Sequence, residues 1–292
     1  MIVAQLLGGL GNQLFQYSLG RALAHKNRTV LKLDTHGLGG GKPRQYRLDH
    51  FGINAEILSQ SERKALGLPA PVPGSLLSRL AARIYSPPRL LHVVRERSFE
   101  FDASVLEAPA DCYLQGYWQS PRYFAAVESM IRDELEVRDT PAGRNLALAR
   151  EIQSCLAVSL HVRRGDYVSN PNTSAVHGVC SADYYARAES LLLRRLGNYR
   201  IFVFSDDPDW VERELRHLMP ATLIRHNLVQ TDYEDLRLMS LCKHHIIANS
   251  SFSWWSAWLC RNPDKIVIAP QDWFREAAYS TRDLIPDDWL RM

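Results

Sequence analysis

The sequence predicts an α/β protein built as two doubly wound domains that face a cleft. Three observations carry the prediction. Short apolar runs alternate with segments of helical periodicity in both halves of the chain. The chain opens on strand, glycine loop, helix and second strand, a spacing that implies a right-handed parallel crossover. A polar, proline-containing piece over 138–143 separates the halves and sets the expected domains at 1–140 and 141–292.

Each element follows in order. Residues 2–7 read as a strand, 8–11 as a loop and 12–24 as a helix whose apolar face carries Leu14, Leu19 and Leu23. A second strand over 29–33 ends at Asp34-Thr35-His36, and a glycine-rich loop follows over 37–42. Prolines 69, 71, 73, 87 and 88 break 55–110 into short helices and irregular pieces. Residues 113–118 read as another strand end, and 124–135 and 142–153 as helices. The second half is more regular. Strands are expected at 156–162, 200–205, 245–248 and 265–269, with helices at 182–196, 209–218, 232–242 and 253–259.

Composition narrows the class. A chain of 292 residues that is 46% hydrophobic and 23% charged can bury a substantial core and is not disordered as a whole. A net charge of +3 is too small to point to nucleic acid. The five scattered cysteines include no Cys-x-x-Cys pair, which fits reduced thiols and argues against zinc. The first residues lack a basic n-region, and no apolar run approaches the roughly 18 residues of a membrane span. The expectation is a soluble, cytoplasmic protein. The basic stretch over 79–97 reads as a solvated face, with peripheral contact to an anionic inner-membrane surface as the alternative.

Four segments carry chemistry. His161-Val162-Arg163-Arg164-Gly165-Asp166 follows a buried apolar run, so its charges sit where ligands bind in open α/β sheets. An arginine fork pairs bidentately with phosphate. Neighbours on a strand point to opposite faces, so one arginine meets the ligand and the other pins the loop, with Asp166 as its candidate partner. Gly8-Gly9-Leu10-Gly11-Asn12-Gln13 allows close backbone approach and opens a helix, yet Leu14 stands where a dinucleotide fingerprint needs glycine. Ser205-Asp206-Asp207 ends a third apolar run. There Asp206 can accept from a ribose or a guanine edge, while Asp207 to Asp209 read as a helix cap rather than a metal site. Asn249-Ser250-Ser251-Phe252-Ser253-Trp254-Trp255 places hydroxyls and an amide at a helix start, a neutral cradle for phosphate, with the tryptophans as packing. The adjacent His244 and His245 read as structural rather than metal-ligating.

Taken together and in this order, the four segments resemble the α-1,2-fucosyltransferases of glycosyltransferase family 11. The resemblance implies the glycosyltransferase B fold, with two Rossmann-like domains, no metal and no cofactor beyond the donor substrate GDP-fucose. The C-terminal domain would hold the donor and the N-terminal domain a β-galactoside such as lactose or a glycan terminus. Arg163 would then grip the β-phosphate and Arg164 brace the loop. His161, Ser205 and Asp206 would lie near the nucleoside, and Asn249, Ser250, Ser251 and Phe252 would line the donor. Gly9, Gly11 and Asn12 would meet the donor from the other domain. Asn12, Arg163 and Asp166 form the implied catalytic set. The family inverts, which calls for a base at the acceptor hydroxyl. Asp34, His36 and Asp166 are the candidates, with Asp34 and His36 on the acceptor side. Acceptor choice is expected to lie in 37–45 and 60–110. The alternatives are a fucosyltransferase of another linkage, such as α-1,6, and a non-catalytic nucleotide-sugar or glycan-binding module.

Overall fold

In unit 1, Met1–Leu135, every strand pairing among the described residues is parallel. The elements run β1 (Ile2–Gln5), α1 (Leu10–Lys26), β2 (Leu31–Asp34), β3 (Glu56–Ile57), α2 (Gln60–Ala65), β4 (His92–Arg95), β5 (Cys112–Gln115) and α3 (Glu128–Glu134). The strand order is β3-β2-β1-β5-β4, so the chain reverses direction across the sheet between β1 and β5. Leu14, Leu19 and Leu23 of α1 are buried as their spacing requires. The computed structural model describes residues 1–38, 45–68, 91–169, 176–218, 221–275 and 279–292, save the side chains of Asp166 and Ser169.

Unit 2, Glu136–Met292, is a second parallel α/β layer. It runs α4 (Gly143–Gln153), β6 (Ala157–Val162), α5 (Gly165–Ser169), α6 (Ala182–Leu196), β7 (Arg200–Ser205), α7 (Pro208–Glu214), β8 (Thr222–Ile224), α8 (Asp232–Leu241), β9 (His244–Ile246), α9 (Ser251–Leu259), β10 (Val267–Ala269) and β11 (Leu290–Arg291). The order is β11-β10-β9-β6-β7-β8, which puts the reversal between β6 and β9. Strand alternation sorts the core onto two faces. Val158, Leu160 and Val162 pack with Tyr184, Tyr185, Ala188 and Leu192 of α6. Ala157, Phe202 and Phe204 pack with Leu148 and Ile152 of α4 and Leu238 and Met239 of α8. All six residues of β6 are buried, the pattern of a strand covered on both sides.

The long elements lie where their periodicity puts them. Strand β1 ends at Gln5 rather than residue 7, and 3-10 turns precede α3 in place of the first turn of the expected 124–135 helix. The expected helix over 209–218 is α7 followed by a 3-10 turn at Arg216–Leu218. The units divide between Leu135 and Glu136, where the sequence reading sets 140/141. None of the five cysteines is in a disulfide. Among the described residues no helix is long and apolar enough to cross a membrane. Most of the basic stretch over 79–97, the tip of the glycine-rich loop and much of 60–110 lie outside the described residues.

Candidate functional site

In unit 2 the β6–β9 reversal is the topological switch point, and the crevice beyond the strand ends there is where open α/β sheets bind ligands. Strand β6 runs out into Arg163 and Arg164, and β9 into Asn249, Ser250 and α9. Two of the four sequence segments therefore meet at one edge. The third joins them through register. Val162 lies opposite Ser205, so the residues beyond β6 stand beside those beyond β7.

Asp206 and Asp207 hold the arginine loop. The Arg164 backbone N–H donates to Asp206 Oδ1 at 2.8 Å, while Arg163 Nη1 lies 3.0 Å from Asp206 Oδ2. Arg164 donates from Nε to Asp207 Oδ2 at 3.1 Å, and its guanidinium lies 4.5 Å from the Trp210 ring centroid. Asp207 also caps α7 by accepting from the Trp210 N–H at 3.1 Å, as expected of a capping residue. The Ser205 hydroxyl accepts from the Asp207 N–H at 2.9 Å and so shapes the same turn. Both arginines keep about a fifth of their side-chain surface open, 24% for Arg163 and 18% for Arg164.

His161 is buried behind Arg163, with its ring 5.6 Å from that of Phe252. Its Nδ1 has no hydrogen-bond partner among the described residues. Burial, helped by the Arg163 charge, pulls its pKa down to about 3, so the ring is neutral at ordinary pH. Ser250 is the N-cap of α9 and accepts from the Phe252 N–H at 3.3 Å. Asn249 is spent on architecture. Its amide donates to the carbonyls of His177 and Trp273 at 2.8 and 3.1 Å. Tyr167 and Tyr185 are ties that the sequence reading did not single out. The first donates to the Asn249 carbonyl at 3.2 Å and the second to the His161 carbonyl at 3.1 Å. Aromatic residues on a one-turn helix or an amphipathic helix give no sequence sign of such a bond. Ser251 opens α9 beside Phe252, and the Asp166 side chain lies outside the described residues.

Unit 1 has its own switch point between β1 and β5. Gly8, at φ +77°, turns the chain from β1 toward α1. Gly9 is the N-cap and offers no side chain to the helix N–H groups, so α1 starts uncapped beside Gly11 and Asn12. Asn12 Oδ1 accepts from Gln119 Nε2 at 2.8 Å, across from the end of β5. Gln16 fastens both sides, accepting from the Leu7 N–H at 2.9 Å and donating to the Gly116 carbonyl at 3.0 Å. Asp34, at the end of β2, is wholly buried. It pairs with Arg63, accepts from the Tyr113 hydroxyl at 2.7 Å and holds His36 Nδ1 at 3.1 Å. Its carboxylate is thus committed, and His36 is the half-buried group it presents at that edge. Among the described residues no cluster of three His, Cys, Asp or Glu side chains could hold a metal. His244 accepts from the Ile266 N–H and His245 bonds the Ser159 hydroxyl, both as structural groups.

Residues 95–291 match the family profile of glycosyl transferase family 11. The whole chain aligns with an α-1,2-colitosyltransferase of Escherichia coli, 34% identical over 99% of that protein. The O-antigen biosynthesis glycosyltransferase WbnK of Escherichia coli is 30% identical over 98% of this chain and 99% of its own. A galactoside 2-α-L-fucosyltransferase of Caenorhabditis elegans is 25% identical over 97% of this chain and 77% of its own. Among solved structures, the NodZ α-1,6-fucosyltransferase soaked with GDP-fucose superposes with a TM-score of 0.52 at 15% identity, over 88% of this chain and 91% of that one. That likeness establishes the glycosyltransferase B type of fold.

Proposed function

Because the chain belongs to glycosyltransferase family 11, we propose that it moves L-fucose from GDP-fucose to the 2-hydroxyl of a terminal β-galactoside, with inversion. Unit 2 takes the donor and unit 1 the acceptor. The observation that carries the reading is Arg163, partly open at the switch point of unit 2 beside the start of α9. Departure of GDP leaves negative charge on the β-phosphate. A guanidinium and a helix N-terminus aimed at that oxygen stabilise it as it develops. Asp206 orients the fork, and the neutral His161 with Phe252 provides a low-dielectric wall behind it. On the acceptor side the committed Asp34 orients His36, which takes the contact to the attacking hydroxyl.

Arg163→Ala is expected to cut transfer by about a hundredfold to a thousandfold and to weaken GDP binding while the fold survives. Arg163→Lys fails to rescue, because a point charge lacks the fork. Calorimetric GDP titration together with GDP release from GDP-fucose in the presence of lactose checks both. Near-normal turnover in Arg163→Ala would sink the assignment. Incubation with EDTA is expected to leave transfer intact; a loss restored by Mg²⁺ or Mn²⁺ would contradict a metal-free mechanism. A second donor reading has one observation in its favour, the 34% identity to a colitosyltransferase. Colitose is the 3-deoxy counterpart of fucose, so a direct competition of the two nucleotide sugars separates the readings.

A further inference from the structure

Unit 1 holds a strained turn at its switch point. Trp118 is one of two non-glycine residues of positive φ among those described, at +60°, and its side chain is only 1% exposed. A bulky residue held in that region costs about 1–3 kcal/mol and persists only where its surroundings over-determine it. They do so here. The carboxylate of Glu96, beyond β4, accepts from the N–H groups of both Tyr117 and Trp118 at 2.8 Å. Gln16 ties down the Gly116 carbonyl, and Trp118 meets Tyr123 edge-on with centroids 5.8 Å apart.

The strained turn fixes its two neighbours. With Trp118 buried, Tyr117 is turned outward and is 42% exposed, an aromatic face at the carboxyl end of the sheet. Gln119 is turned toward the glycine loop and donates to Asn12. An aromatic face beside an amide is the pairing that recognises a sugar, one apolar surface with polar groups at its rim. A β-galactoside suits it, because its axial 4-hydroxyl leaves the C–H groups of carbons 3, 4 and 5 as one apolar face.

We propose that the Gly116–Gln119 turn is the acceptor subsite, with Tyr117 as the platform on which the terminal galactose stacks. The assignment rests on the fucosyl-transfer reading above and gives its acceptor a place.

The test uses the full chain with GDP-fucose and lactose. Tyr117→Ala raises the acceptor KM at least tenfold and leaves GDP affinity within twofold, whereas Tyr117→Phe keeps the wild-type acceptor KM. An acceptor KM within twofold of wild type in Tyr117→Ala overturns the proposal, as does a tenfold loss of GDP affinity. A wild-type chain that transfers fucose to no β-galactoside refutes the parent reading. Saturation-transfer NMR with methyl β-D-galactopyranoside then decides the subsite without turnover. A sugar signal present in wild type and lost in Tyr117→Ala upholds it; a signal absent in wild type or retained in the variant overturns it.

Discussion

Arg163 and Arg164 are adjacent, equally charged and similarly exposed, and they differ in what holds them. Arg163 shares one carboxylate oxygen of Asp206 and lies 5.6 Å from the Tyr167 ring centroid, so its fork can exchange a partner for a phosphate. Arg164 is clamped between Asp207 and Trp210. Arg164→Ala is therefore expected to cost about 1–3 kcal/mol of stability, the range for a mutant that loses an ion pair and an aromatic contact together. A double-mutant cycle with Asp207→Ala, read by urea denaturation, gives a coupling of about 0.5–1 kcal/mol. A coupling of zero would remove Asp207 as the brace. That the two side chains take different partners was legible, because neighbours on an extended segment point apart. The partners were not. The Asp166 side chain, the partner expected from the sequence, lies outside the described residues, and the described partners Asp206 and Asp207 lie some forty residues on. They are brought close by the pairing of Val162 with Ser205, and register is a property of the sheet rather than of either segment.

At the scale of elements, length decided what could be read. The helices α1, α4, α6 and α9 and the strands β6 and β7 carry full apolar periods, and each stands close to its expected bounds. Strands β3 and β11 have two residues, too few for any period to show. The Trp118 turn was equally hidden, since a tryptophan gives no hint of positive φ. The Gly8 turn could be read, because glycine suits that conformation. A Cβ there would stand 2.4 Å from Asn12 Nδ2. Gly143, also at positive φ, has open space around its missing Cβ. Gly143→Ala is expected to cost only the backbone penalty of about 1–2 kcal/mol. Gly8→Ala adds displacement of Asn12, so it loses more stability and loses transfer with it. Thermal midpoints and kcat/KM measured side by side check this; equal losses in the two variants would detach Asn12 from the turn.

Across the whole molecule, the proposed contacts gather at the carboxyl ends of two parallel sheets while titratable groups lie sunk in their cores. Those buried groups set the acid limit of the fold. Burial first, then the Arg163 charge, pulls His161 down to about 3; burial, Lys265 and His244 do the same to His245. In the unfolded chain both rings titrate near 6.5, an order-of-magnitude reference for free histidine. Below that pH the unfolded state binds more protons than the folded one, so stability falls as pH falls. His226 and His244, also lowered by burial, act in the same direction. Asp235 opposes them. Burial raises it to about 6, so below pH 6 the folded state takes up a proton that the unfolded carboxyl does not hold until near 4. Each proton of difference is worth about 1.4 kcal/mol per pH unit. The expected profile is flat between pH 7 and 8, begins to fall near 6.5 and becomes shallower below 6, where Asp235 cancels one histidine. Urea midpoints between pH 8 and 4.5 trace that curve. His245→Gln, far from the proposed phosphate contacts, is expected to flatten the acid limb by about 1.4 kcal/mol per unit. An unchanged limb in that variant would mean that the ring already takes its proton inside the folded sheet.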